Sequence, residues 1–265
     1  MGISTANVTL ADELVGNPSS IPVGVAWWRL EEDALATRID SWGTNDLTPN
    51  VTIPNAGGKI GFSNDFQQDG IYLEDNPPGA DLVMGDMDFT IAAWVYLTDT
   101  SWARYLIPGG IWPISGGRQY MLAYATDLQK FAMFTSSNGV NYDYVAHGTT
   151  STLETWYLAI GWHDSINNQI GIQVNNLTPE LKAWVGGVYD GGVSPAPFRI
   201  NYAVDVAGTT LYGRGRMDEV RLWHKVLSES ERAALWGAAG GCVTGGQVML
   251  GSLSAGIHTS GVRLG

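Results

Sequence analysis

The chain has 265 residues, 45% of them hydrophobic and 11% aromatic, enough to bury one large core or two small ones. Its 26 acidic and 14 basic residues leave a formal charge of -12, which excludes a surface of clustered Lys and Arg built to neutralise nucleic-acid phosphates. No apolar run approaches the roughly 20 residues a membrane helix needs, and 34 glycines with 11 tryptophans favour short strands joined by turns.

Residues 1–23 hold Pro18, Pro22 and small polar residues without sustained periodicity, and read as an arm. They lack the basic n-region and apolar h-region of an export signal. The first convincing strand is Val25 to Leu30, VAWWRL, followed by the loop IDSWGTNDLTP. GKIGFSNDF and QQDGIYLE form the next pair. In DFTIAAWVYL, Phe89, Ile91, Ala93, Val95 and Leu97 share one face and Thr90, Ala92, Trp94 and Tyr96 the other, so both faces are largely apolar and the strand is expected at a sheet centre. Between Thr98 and Arg118 lies an aromatic, glycine-rich loop that no core pattern requires. Further strands are expected at Tyr120 to Ala125, Lys130 to Thr135, Tyr142 to Ala146, Trp156 to His163, Gln169 to Val174, Lys182 to Val185 and Phe198 to Tyr202.

The stretch Gly215 to Gly237 organises the rest. Val220 and Leu222 share one parity, Glu219 and Arg221 the other, as in a half-buried strand. Asp218 has the parity of Val220 and Leu222 yet carries a charge, so it needs a partner or a place at the sheet's rim. Ser228 reads as an N-cap, with Glu231 completing a capping box for a short helix through Leu235 that ends before Gly237. After Ala239, glycines alternate with Val248, Leu250, Leu253, Ile257 and Leu264, a composition that cannot form a core alone.

Met217 to Val220 followed by Leu227, Ser228 and Glu231 resembles the I-D-E-V-R-I strand and L-S-x-x-E helix that close laminin-G-like, concanavalin A-like jelly rolls. Four further segments resemble that family in the same order: Trp28, Leu30 and Glu32 with Asp40, Ser41, Gly43, Asn45 and Leu47; Gly58 to Phe66; Phe89 to Val95; and Trp156 to Asn175. Trp42 and Thr44 depart from the family's glycine loop. The resemblance covers roughly residues 24–238 and implies an all-β sandwich of two antiparallel sheets with one short C-terminal helix. Residues 1–23 and 239–265 are then flanking segments.

The resemblance also implies a rim where Asp40 and Asp218 approach and bind calcium, helped by Asn45, Asp46 and main-chain oxygens. The alternative is that Asp218 accepts backbone N–H bonds from the loop after the first strand. Trp102, Tyr105 and Trp112 either stack on a sugar ring, as the fold class often does, or cap the sandwich or pack on another subunit. His163, Asp164 and Ser165 are adjacent on a strand and turn, an arrangement unlike a catalytic triad assembled from separate segments. His147, His163, His224 and His258 show no zinc spacing, and no closely alternating carboxylates of glycosidase type are present, so no catalysis is expected.

Cys242 is the single cysteine, which allows no intrachain disulfide. Jelly rolls of this kind usually work outside cells, and a route without export signal or disulfide is a virion released by lysis. The expected role is a structural protein at a phage virion surface, as capsid decoration or tail-associated protein. Its arm and tail, through Val248, Leu250, Leu253, Ile257 and Leu264, would lie along other virion subunits or copies of the same chain. The alternative is a carbohydrate-binding adhesin, with or without calcium. No nucleic-acid or membrane partner is expected.

Overall fold

The computed structural model describes residues 21–101, 105–114 and 116–239. Seventeen strands are described, in chain order β1 (Ala26–Trp28), β2 (Thr48–Pro49), β3 (Asn55–Gly57), β4 (Phe62–Phe66), β5 (Leu73–Asp75), β6 (Phe89–Leu97), β7 (Tyr105–Gly110), β8 (Arg118–Ala125), β9 (Lys130–Gly139), β10 (Asp143–Ala146), β11 (Trp156–Asp164), β12 (Gln169–Val174), β13 (Glu180–Ala183), β14 (Phe198–Ile200), β15 (Ala203–Val204), β16 (Thr210–Leu211) and β17 (Gly215–Trp223). The helix α1 (Glu229–Ala238) follows.

One antiparallel sheet runs β13-β12-β11-β6-β17-β4-β3, with β1 also paired to β17; the other runs β10-β9-β8-β7-β14-β5-β2. The core fills the space between them. Trp28, Phe89, Ile91, Tyr120, Leu122, Ile170, Ile172, Phe198, Val220 and Leu222 belong to one buried cluster, with Trp28 stacked 5.1 Å from Phe198. β6 sits between β11 and β17, as its two apolar faces predict. Phe89, Ile91, Ala93, Val95 and Leu97 face the core, and Ala92 and Trp94 join a second cluster under α1 with Leu158, Ile160, Trp162, Trp223, Leu227 and Leu235.

The helix forms where its cap predicts. The Ser228 hydroxyl accepts from Glu231 N, and the Glu231 carboxylate accepts from Ser228 N. It extends through Ala238 rather than stopping at Leu235, because Trp236 stacks on Trp94 at 5.3 Å and so holds the last turn on the sheet.

β17 departs from simple alternation. Its first residues, Gly215–Met217, pair with β4; its last, Val220–Leu222, pair with β1; and the register against β6 shifts between Asp218 and Arg221. Glu219, at φ 57, supplies the extra residue of this bulge. Met217 and Val220 therefore both face the core, and Asp218, opposite Trp94, is turned with Glu219 and Arg221 towards the outer face. This corrects the inward parity expected for Asp218. A period-2 reading cannot anticipate an inserted residue that reverses it.

Candidate functional site

At the bulge three charged residues are buried together. Asp218 is 0% exposed, Glu219 2% and Arg221 6%. Glu219 Oε2 accepts from Trp27 Nε1 at 2.9 Å and from the Arg221 guanidinium. Its other oxygen, Oε1, has no hydrogen bond, and Arg29 Nε lies 3.7 Å from it. Arg221 Nε likewise lacks an acceptor. Burial raises the Glu219 carboxyl above its ordinary range against the opposing pull of Arg221, and burial lowers the Arg221 guanidinium against the pull of Glu219.

Above this pair lies a pocket of about 290 Å³ lined by Ile21, Val23, Trp27, Arg29, Trp42, Ile60, Glu219, Arg221 and Ala238. Its position follows from pairing. Trp28 points into the core, so its neighbour Trp27 must point outward, where its Cα partner across the ladder is Arg221. The Arg221 guanidinium lies 4.6 Å from the Trp27 ring centroid. Trp42 leans on Trp27 at 5.4 Å and meets Trp223 edge-on at 5.4 Å. Both Trp27 and Trp42 remain half-buried, so part of each indole borders the pocket.

Asp218 supports the pocket from behind. Its Oδ2 accepts from Ile60 N at 2.8 Å and so fixes the turn that carries Ile60, whereas Oδ1 has no partner. The turn can approach because residue 58 is glycine: a Cβ there would lie 2.8 Å from Asp218 Oδ2 and 2.4 Å from Phe62 O. Burial pushes the Asp218 carboxyl up to about 8, opposed by the backbone N–H of Ile60.

The residues expected to bind calcium divide into two places. Asp40 Oδ1 accepts from the backbone N–H groups of Trp27 and Trp42, and Oδ2 from Asn45 N; Asp46 Oδ1 in turn accepts from Asp40 N. Asp40, Asn45 and Asp46 thus form one hydrogen-bonded loop that positions Trp42. Asp218 holds a different turn, at Ile60, rather than the loop after the first strand. Among the described residues no group of three or more His, Cys, Asp or Glu is placed to hold a metal ion, and the Asp40 oxygens already face N–H donors. The set does not fit calcium.

Of the residues expected to stack on a sugar, Trp112 is buried, 5% exposed. It meets Tyr142 at 5.3 Å and Phe134 at 6.0 Å, with the Arg118 guanidinium 5.8 Å from its ring. It therefore packs the outer face of the seven-stranded sheet and offers no open ring, the capping alternative. Trp102, the side chain of Tyr105 and the tail residues Val248, Leu250, Leu253, Ile257 and Leu264 lie outside the described residues. His163 Nδ1 donates to Met87 O at 2.8 Å, and Asp164 accepts from Asn167 N at 2.8 Å; both serve the hairpin at the end of β11. Of residues 1–23, Pro22 accepts from Trp223 Nε1 at 2.8 Å, and Ile21 packs beside Trp223, so this end of the arm lies on its own sandwich.

The pocket residues Trp27, Trp42, Arg29, Ile60, Glu219 and Arg221 were not singled out as a site by sequence reasoning. The signal was there in part. Adjacent tryptophans on a strand must face opposite ways, Glu219 and Arg221 share the outward parity, and Trp42 stands where the jelly-roll loop usually has small residues.

The chain belongs to the laminin G-type family of the concanavalin A-like lectin/glucanases superfamily, whose family model matches residues 67–231. No curated protein matches it. Among solved structures it is similar to domain 4 of AbnA, a GH43 extracellular arabinanase from Geobacillus stearothermophilus, in complex with arabinotriose. That match has 16% identity and a TM-score of 0.58, and covers 80% of this chain and 97% of that one. The binding domain of Paraclostridial Mosquitocidal Protein 1 is similar at 11% identity and a TM-score of 0.58, with 78% of this chain and 52% of that one covered. A Trypanosoma rangeli sialidase in complex with 2,3-difluorosialic acid is similar at 16% identity and a TM-score of 0.56, over 82% of this chain and 33% of the sialidase. The chain thus spans one domain of AbnA, about half of the mosquitocidal binding domain and a third of the sialidase.

Proposed function

We propose that this concanavalin A-like domain is a non-catalytic carbohydrate-binding module that seats a sugar ring in the pocket between Trp27 and Trp42. The observation that carries the reading is the pairing of two half-open indoles with a buried Glu219–Arg221 pair at one pocket. Indole faces take the apolar face of a sugar ring, and a small number of fixed polar groups orient its hydroxyls. The likeness to an arabinanase domain solved with arabinotriose points the same way. Among the described residues one carboxylate lines the pocket, and it is tied to Arg221 and Trp27. Glycoside hydrolysis needs two carboxyl groups flanking the bond, so the module binds and does not cleave.

A glycan array probed with the protein and with Trp42→Ala tests this. Wild type should retain a defined set of saccharides that the variant loses; equal retention by a folded Trp42→Ala protein would place the binding elsewhere.

The second reading, a structural subunit at a phage virion surface, is favoured by the glycine-rich, coreless composition of residues 239–265. Removing residues 239–265 should then leave a folded domain that no longer assembles, and sedimentation of the two forms reads the difference. Carbohydrate binding and a place on a particle are compatible.

A further inference from the structure

The loop that carries Trp42 closes on a buried carboxylate. Asp40 is 5% exposed. Its Oδ1 accepts from Trp27 N at 2.9 Å and from Trp42 N at 3.0 Å, and its Oδ2 accepts from Asn45 N at 3.1 Å and from Asn45 Nδ2 at 3.3 Å. An ionised carboxylate offers about four lone-pair sites, and four N–H groups point at them here. A divalent cation binds through those same lone pairs, so it would have to displace the donors first.

Which groups donate matters more than how many. Trp27 is a strand residue whose ladder to Arg221 already sets its place. Trp42 lies on the bend after Asp40, outside any strand. One oxygen shared by the two backbones therefore passes the strand's position to the loop. Ser41 N donates to Trp27 O at 2.8 Å and closes the same link from the other side, and Trp28 Nε1 donates to Asn45 O at 2.6 Å and ties the far end of the loop to the core. The loop can close because residue 43 is glycine: a Cβ there would lie 2.7 Å from Asp40 Oδ2 and 2.8 Å from Val25 O. Bonds from N–H to a carboxylate are stronger than neutral ones, and burial strengthens them further.

We infer that Asp40 is the positioning residue of the pocket. In place of a cation, its carboxylate fixes the loop, holds Trp42 against Trp27 before any ligand arrives, and makes saccharide binding independent of divalent metal ions. This rests on the carbohydrate reading above and adds what keeps the two indoles in place. A wall fixed beforehand spares the ligand the cost of ordering it, so affinity follows Asp40 even where the fold survives its loss.

The test is calorimetric titration of arabinotriose, and of the saccharide best retained on the array, into the full chain with calcium chloride and with a chelator. Affinity should agree within about twofold in the two buffers, and calcium chloride alone should leave the melting temperature unchanged. Asp40→Ala, with its fold checked by thermal melting, should weaken binding roughly tenfold or more. In nitrogen-labelled protein without sugar it should also move the indole N–H resonance of Trp42, assigned from Trp42→Phe. Asp40→Asn keeps one accepting oxygen for the two tryptophans and should bind more tightly than Asp40→Ala. Asp164→Ala removes a carboxylate that holds the β11–β12 hairpin through Asn167; it should lower the melting temperature and leave affinity unchanged, which separates positioning from stability. Should Asp40→Ala not fold, Gly43→Ala presses on the same carboxylate and should move the same resonance. Binding that requires calcium, or a folded Asp40→Ala that binds as wild type, would overturn the inference while leaving a sugar pocket standing. If no saccharide bound the wild type, the sugar reading would fall, and the calcium melt and the Trp42 resonance would still decide what Asp40 does.

Discussion

The two outer faces of the sandwich are built from the same kinds of side chain and use them differently. On the seven-stranded sheet, Trp112, Phe134 and Tyr142 cover one another, and the buried Arg118 beneath them donates to the carbonyls of Ile114, Val140 and Asp205. The cleft beside them, about 330 Å³, has Arg199 and Tyr202 in its lining, but Arg199 is held by Glu74 at 3.0 Å and stacks 4.3 Å from Tyr202. On the eight-stranded sheet the buried Glu219–Arg221 pair lies beside Trp27 and Trp42, whose indoles stay half-buried. Aromatic content does not distinguish a binding face from a packed one. How far the rings are covered does.

The largest effect that would sharpen this contrast is on the buried pair. Arg221→Ala leaves the buried Glu219 with only Trp27 Nε1 and the more distant Arg29 as partners and should cost about 3–5 kcal/mol in urea unfolding; replacing both by leucine should recover much of it. A loss under about 1 kcal/mol from the single change would mean that the pair is not buried as described. Trp112→Ala should cost about 3–5 kcal/mol by cavity formation with saccharide affinity unchanged, whereas Trp42→Ala, at a half-buried position, should cost less stability and lose the sugar.

Asp218 gives the contrast a pH dependence. Its folded carboxyl titrates near 8, above the ordinary aspartate value of 3.8, so the folded state holds a proton that the unfolded chain releases. This contribution favours folding at low pH and is withdrawn as pH rises from about 4 to about 8. Thermal melts between pH 5 and 9 should therefore fall more steeply for wild type than for Asp218→Asn. Parallel curves would show that the carboxyl is not shifted. The smallest expected effect is at the helix that covers this face: Ser228→Ala breaks the capping box and should cost about 1 kcal/mol.

The sandwich was legible because its strands alternate and its central strand does not. DFTIAAWVYL announced a sheet centre, and the order of matching segments announced the jelly roll. The helix start was legible in Ser228 and Glu231; its end was not, because the Trp236 to Trp94 stack is a tertiary contact. The pocket was hidden by the bulge. Glu219 in the left-handed region is invisible to a parity count, and it alone decides that Asp218 faces outward. The sequence left Trp112 between a sugar-stacking and a capping role, because the partners that cover it, Phe134 and Tyr142, lie more than twenty positions later.

The account stands most directly on which face meets the sugar. Calorimetric titration of the tightest neutral saccharide from the array into wild type, Trp42→Ala and Tyr202→Ala decides it. Heat of binding kept by Tyr202→Ala and lost by Trp42→Ala is the predicted result; loss in Tyr202→Ala with Trp42→Ala unaffected would move the site to the opposite sheet and contradict it.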